Sequence, residues 1–280
     1  MRSKITLLLA LATLAPSTAF ALDLATHKPD RLRLEYHVPK NPAHEHIYNK
    51  LREQRVLERL TEFAAPFRLP RDVLMKIEGC DGTVNAFYED GEIKICYEYI
   101  EYIYQNTPQG PVVGGLRPED AVVGPMVDVV LHEFGHALFE LLEIPLLGRE
   151  EDAADLFSAY VQLKVGRDEA RALIFGIAFL GRKEIEQSMA KSLELQEFAK
   201  EHGLPAQRYF NVLCLAYGFD RELFKDAVTH WHLPPARAES CEDEYETFDH
   251  AYQTLIEPHV DAERFKSVQA RKWLQFEVQK

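Results

Sequence analysis

The sequence predicts an α+β protein in which a small N-terminal β-sheet with a hairpin packs on a mostly helical C-terminal half. Short β-rich runs bounded by glycines occur only before about residue 106. Helical periodicity, interrupted by glycine and proline, dominates from Pro118 onward. With 46% hydrophobic and 28% charged residues, the 280-residue chain has the composition of a folded protein with one sizeable core.

The N-terminus has the pattern of a cleavable signal peptide over residues 1–21. Arg2 and Lys4 precede an apolar run, and Ala19-Phe20-Ala21 forms a small-x-small cleavage site. The run is far shorter than the ~20 apolar residues that cross a bilayer. We therefore expect a mature chain beginning near Leu22, exported to the periplasm or the exterior of a bacterium, without stable membrane insertion.

The sheet-rich half, about residues 22–106, contains alternating apolar residues, glycine-bounded strands and one helix. The expected elements are a strand through Leu32–Val38, a helix from about His44 to Ala64, a strand at Leu74–Ile77, and a hairpin of Val84–Tyr88 and Ile93–Tyr97 with Glu89-Asp90-Gly91 as its turn. The segment Thr107–Gly115 then leads into the helical half, about residues 116–280. With no repeat and no long linker, residues 22–280 read as a single domain.

The helical half contains a long apolar helix from about Glu119 to Leu142, followed by further helices. Glycines and prolines predict the breaks between them, at Pro145 and Gly148, near Gly166, at Gly203–Pro205, at Gly218, at Pro234-Pro235 and at Pro258.

Four cysteines in an exported chain favour disulfides over metal binding. Cys80 and Cys96 flank the expected hairpin and are the favoured pair, which leaves Cys214 and Cys241 as the second. Four cysteines allow three connectivities, and the sequence alone does not exclude the other two.

The charge balance of 32 basic and 45 acidic residues gives a net charge of −13, which makes nucleic acid an unlikely partner. A peptide or protein substrate is compatible with it.

The long apolar helix contains His132-Glu133-Phe134-Gly135-His136. Histidines one helical turn apart project from the same face, so both imidazoles can reach one ion at ~2.0–2.1 Å. Glu133, beside the first histidine, can approach a water at that ion without binding it.

The next predicted helix supplies the acidic residues that complete such a site. Glu151 can be the third ligand, and Asp155, one turn later, can accept the free ring N–H of a ligating histidine. Three protein ligands leave one position for water, as in catalytic zinc sites. We expect one Zn²⁺ per chain.

This combination of motifs resembles the thermolysin-like, glutamate-ligand (gluzincin) zinc peptidases. The order Cys-x-x-x-x-Asn-Ala-Phe-Tyr, HEFGHALF, REEDAAD also resembles a bacterial family of putative metallopeptidases. The resemblance implies a zincin-like fold with His132, His136 and Glu151 as zinc ligands, Glu133 as general base and Asp155 orienting a histidine. It further implies that Asn85 and Ala86 lie on an edge strand that pairs with the substrate backbone.

No clear motif supplies the residue that would stabilise the oxyanion. Tyr217, His230 and Tyr245 are candidates, and Tyr217 is favoured because the expected helix end at Gly218 could bring its phenol to a cleft edge.

The expected function is that of an exported zinc metallopeptidase. An inactive zinc-containing pseudoenzyme that captures a peptide or protein partner is the main alternative. A deformylase-like hydrolase with a cysteine ligand is disfavoured by export and by the pairing of Cys80 with Cys96.

Overall fold

A four-stranded mixed sheet forms the N-terminal part of the protein. The computed structural model describes residues 31–110, 112–191 and 194–270, and the predicted signal peptide lies outside these ranges. The strands are β1 (Leu32–Tyr36), β2 (Val73–Glu78), β3 (Ala86–Glu89) and β4 (Glu92–Cys96). Their order is β1-β2-β4-β3, with β1 and β4 parallel to β2 and β3 antiparallel to β4. β3 is therefore an edge strand.

Alternation of side chains fixes which face of the sheet meets the core. In β2 the side chains of Val73, Met75 and Ile77 are completely buried, and the residues between them are partly exposed. This is the period of two expected when one face of a sheet is covered.

The predicted hairpin is present as β3 and β4. Asp90 and Gly91 both have positive φ, 51° and 83°, as a two-residue type I′ hairpin turn requires. Both predicted disulfides are also present: Cys80–Cys96 and Cys214–Cys241 have Cα–Cα distances of 5.4 and 5.0 Å. The first closes a loop that contains the whole of β3.

The rest of the described chain is mainly helical, so the α+β class is confirmed. The helices are α1 (Glu45–Glu53), α2 (Val56–Thr61), α3 (Tyr97–Gln105), α4 (Asp120–Leu141), α5 (Glu150–Leu163), α6 (Arg167–Met189), α7 (Pro205–Phe219), α8 (Asp226–Thr229), α9 (Pro235–Ala238), α10 (Cys241–Leu255) and α11 (Ala262–Gln269).

The central helix of the core is α4, which packs against α5, α6, β3 and β4. It is long and apolar enough to cross a membrane, but 89% of its most apolar stretch is buried inside the protein. Two glycines let α4 and α6 cross in close contact: a Cβ on Gly176 would lie 2.2 Å from the carbonyl oxygen of Asp120, and one on Gly124 would lie 2.5 Å from that of Leu173. One hydrophobic cluster joins the sheet and the helices.

One detail of the predicted helices is wrong. The helix expected from His44 to Ala64 divides into α1 and α2, because Arg55 adopts a left-handed conformation with φ of 52°. The break predicted at Gly218 lies one residue before the end of α7 at Phe219. A Cβ on Gly218 would lie 2.0 Å from the carbonyl oxygen of Cys241, so the glycine also permits close contact between α7 and α10.

Candidate metal centre

Two imidazoles from α4 converge at the centre of the site. His132 is buried, with 5% of its surface exposed, and His136 lies one turn later at the border of a cavity. Their Nε2 atoms are 3.2 Å apart, and the rings meet edge to face. The helical spacing thus brings the two nitrogen atoms to one point.

A close crossing of α4 and α5 brings the third donor to the same point. Gly135 lies between the two histidines, and a Cβ there would be 3.1 Å from the ring of Phe157 and 3.5 Å from Cα of Ala154. The small residues at this crossing allow the first turn of α5 to approach the histidines. That turn carries Glu151, and ionised carboxylates are favoured at a helix N-terminus.

The three donor atoms have the mutual spacing of ligands around one small cation. Oε2 of Glu151 lies 3.1 Å from Nε2 of His132 and 3.4 Å from Nε2 of His136. Tetrahedral bonds of ~2.0–2.2 Å place neighbouring ligand atoms roughly 3.3–3.5 Å apart. Two imidazoles and a carboxylate with this spacing fit one small divalent metal ion.

Carboxylates lie behind both imidazoles. Oδ1 of Asp155 is 2.9 Å from Nδ1 of His132, although not in the ideal direction for a hydrogen bond, and Oε1 of Glu150 is 2.8 Å from Nδ1 of His136. Outer carboxylates of this kind fix the orientation of ligating histidines. The sequence predicted that Asp155 would lie beside one of the two histidines, and it lies beside His132, whereas the contact of Glu150 with His136 was not predicted.

Arg208 of α7 binds the far side of Asp155. Its Nε and Nη2 donate to the two carboxylate oxygens at 2.7 and 2.6 Å. This bidentate contact occupies the guanidinium, so Arg208 is part of the support of the site. A chain of contacts therefore leads from α7 through Asp155 to His132.

The electrostatics of the metal-free cluster follow from these contacts. Burial lowers the pKa of His132, but the adjacent carboxylates of Asp155 and Glu151 outweigh this effect and raise that pKa to about 10. Burial raises the pKa of Asp155, yet Arg208 and His132 hold it below its usual value. The cluster therefore has a high affinity for positive charge, whether protons or a cation. Burial also raises the pKa of Glu133, partly opposed by the nearby imidazoles.

A cavity of about 730 Å³ opens above these residues. One wall carries the three donors and Glu133. Asn85 to Tyr88 of the hairpin also line the cavity. The structure thus brings together Asn85, Ala86 and the histidine cluster, which are distant in sequence.

His202 was not singled out by the sequence, yet it lies at this site. It belongs to the loop before α7 and lines the cavity, and its Nε2 is 2.8 Å from Oε2 of Glu151. The local sequence Glu201-His202-Gly203 contains no spacing that relates it to α4. Only the tertiary structure reveals the proximity.

The three candidates for the oxyanion residue lie elsewhere. Tyr217 lies on α7, and the guanidinium carbon of Arg221 is 5.9 Å from the centroid of its ring. Tyr245 accepts a hydrogen bond from Lys164, and His230 pairs with Asp226. Among the residues that the structure describes, none of the three lines the cavity.

Comparison with protein-family models gives one match, over residues 36–256, to the family DUF4344, whose description reads "Putative metallopeptidase". The matched range includes the histidine pair, Glu151 and both disulfides. Searches of curated proteins and of solved structures give no match.

Proposed function

The chain belongs to this family, and from that premise we propose that it is an exported zinc peptidase in which His132, His136 and Glu151 bind one zinc ion. The observation that supports it best is the convergence of three donor atoms within 3.4 Å of one another at the bottom of a cavity. The two disulfides support an oxidising compartment, as does the predicted signal peptide. The helix with its histidine pair and the edge strand that lines the cavity support a zincin-like fold of the gluzincin type.

The reaction we propose is hydrolysis of a peptide bond. Held by His132, His136 and Glu151, a zinc ion would supply Lewis-acid polarisation of the scissile carbonyl and lower the pKa of water toward neutral pH. Glu133 accepts one proton from the attacking water as the C–O bond forms, and delivers it to the amine nitrogen as the C–N bond breaks. The buried position of Glu133 beside two ligands supports this role, because burial raises its pKa toward that of an effective base.

The free edge of β3 supports binding of an extended peptide. In an antiparallel pair, hydrogen-bonded and non-bonded positions alternate. Because Cys96 N donates to Asn85 O, Phe87 opposite Lys94 is also a bonded position. The N–H and C=O groups of Ala86 and Tyr88 then point away from β4, toward the cavity side, where a substrate strand could pair with them.

Asp155 acts in this proposal through His132. Held by Arg208, its carboxylate fixes the ring so that Nε2 faces the metal. Asn85 precedes the edge strand and offers an amide donor and acceptor to the peptide.

A zinc-containing pseudoenzyme that captures peptides is the second candidate. It is favoured by one observation: Tyr217, His230 and Tyr245 do not line the described cavity. A peptidase of this kind needs some group to stabilise the oxyanion.

The test uses the purified mature chain, analysed for metal and incubated with a peptide library. We expect about one zinc per chain and cleavage that a chelator abolishes. Glu133→Gln should retain zinc and lose about 10²–10⁴-fold in kcat, whereas Glu246→Gln, an exposed control on α10, should behave as the unmodified chain. Zinc with no cleavage of any peptide would favour the pseudoenzyme. If His136→Ala still bound zinc as the unmodified chain does, the proposed metal site would be contradicted.

A further inference from the structure

The imidazole of His202 lies against the proposed metal site, in contact with both His132 and Glu151. Its ring is stacked on that of His132, with centroids 5.9 Å apart and an interplanar angle of 16°. One ligand atom from each of His132, Glu151 and His202 lies within 4.8 Å of the others. The site is therefore surrounded by four donor side chains.

More ring nitrogens surround one carboxylate oxygen of Glu151 than hydrogen bonding alone accounts for. Three imidazole Nε2 atoms approach the same carboxylate oxygen, Oε2 of Glu151, at 2.8, 3.1 and 3.4 Å. A carboxylate oxygen has two lone-pair directions, so three ring nitrogens cannot all be well-directed donors to it. Such a cluster of nitrogen and oxygen atoms is typical of side chains that share one cation.

We propose that His202 is a fourth protein ligand of the metal in the resting protein, and that it withdraws when a peptide binds. With His202 moved toward His136, three imidazoles and one carboxylate would supply the four ligands of a closed site of the structural type. The position for water and substrate becomes available when the His202 ring moves out. The inference rests on the proposed function, because it concerns the same metal.

The segment that carries His202 is suited to such movement. The 3-10 turn before it, Leu195–Ala199, contains no buried residue, and Leu195 and Phe198 are 85% and 59% exposed. Segments with few buried contacts open at low free-energy cost. After His202 the chain is fixed again, since Leu204 N donates to Gln207 Oε1 and Pro205 begins α7. Residues 194–202 can therefore move while α7, with Arg208, stays in place.

The decisive measurement is the number of imidazole ligands, obtained by X-ray absorption on the zinc-loaded full chain without substrate. We expect three imidazoles in the unmodified protein, two in His202→Ala and two in His202→Gln. His250→Ala, an exposed control on α10, should keep three. Competition with a chelator should show zinc affinity weakened roughly 10–100-fold in both His202 variants, the range also seen when a supporting residue is lost.

The outcomes separate this inference from the proposed function. If the unmodified chain shows two imidazoles and His202→Ala leaves both the spectrum and the zinc affinity unchanged, His202 is not a ligand, although the peptidase proposal stands. If the unmodified chain binds no zinc, the proposed function itself fails. Thermal unfolding with a chelator present checks that the variants fold. Because His202 is 43% exposed at its side chain, we expect an unchanged midpoint.

Discussion

We predict that Asp155 and Arg208 make strongly coupled contributions to the free energy of unfolding. The Asp155 side chain is 9% exposed, and two charge-assisted hydrogen bonds of 2.6 and 2.7 Å join it to the guanidinium. Removing one member of a buried pair costs about 3–5 kcal/mol, because the other charge stays buried without its partner. Since the Arg208 side chain is 34% exposed, we expect the lower end, about 3 kcal/mol, for Arg208→Leu.

The double variant Asp155→Asn/Arg208→Leu should lose less than the sum of the two single losses. It leaves no uncompensated charge, so we expect a coupling free energy of about 2 kcal/mol. Urea denaturation with a chelator present, disulfides intact, gives the free energy of unfolding of all four proteins. Additivity of the two single losses within ~0.5 kcal/mol would refute the argument.

Three further predictions concern the scaffold around the site. Gly176→Ala should destabilise the protein by about 2–3 kcal/mol, because the new Cβ would lie 2.2 Å from a carbonyl oxygen of α4. The control Gly110→Ala, whose Cβ would have nothing within 4 Å, should change the free energy of unfolding by less than ~0.5 kcal/mol. Equal midpoints of the two variants in urea would contradict this prediction. Asp128→Asn should stabilise by about 1–3 kcal/mol at pH 7, with the gain vanishing as the pH falls from about 6 to 4. The reason is that burial, and secondarily the charge of Asp155, raises the pKa of Asp128 from 3.8 to about 6, so ionisation of this carboxyl opposes folding as the pH rises. Denaturation at pH 4, 6 and 8 measures the difference in the free energy of unfolding between the variant and the unmodified chain. A difference that does not change with pH would refute the prediction. Replacing Cys80 and Cys96 by serine should lower the free energy of unfolding by about 3 kcal/mol, as expected for a disulfide with a sequence separation of 16. Calorimetry that showed no loss of stability in this variant would exclude a stabilising role for the disulfide.

The sequence predicted those elements whose geometry is determined by residues close to one another in the chain. The turn at Asp90-Gly91 requires positive φ at two residues, and the sequence meets that need with Asp and Gly, so the hairpin was predictable. The histidine spacing on α4 likewise depends only on helical geometry. The same reasoning located Glu151 and Asp155 one turn apart on the next helix.

What the sequence did not reveal depends on contacts between distant segments. Gly218 has the composition of a helix end, but its role is set by Cys241 on another helix. Arg208 has the sequence context of a solvated residue, yet it pairs with Asp155. His202 comes from a loop whose position over α4 no periodicity encodes. Each of these contacts depends on how distant segments pack against one another, and the residue pattern of a single segment does not carry that information.

Within the described residues no strand pairs with the outer edge of β3, and this open edge also bears on self-association. An exposed strand edge can pair with the same edge of a second copy as readily as with a peptide. Here the edge is four residues long, and only Ala86 and Tyr88 direct their backbone groups outward. The Cys80–Cys96 disulfide prevents it from lengthening at the expense of the adjoining loop. The net charge of −13 opposes the approach of two copies but not that of a neutral or basic peptide, so it disfavours self-association through this edge without closing it to a substrate.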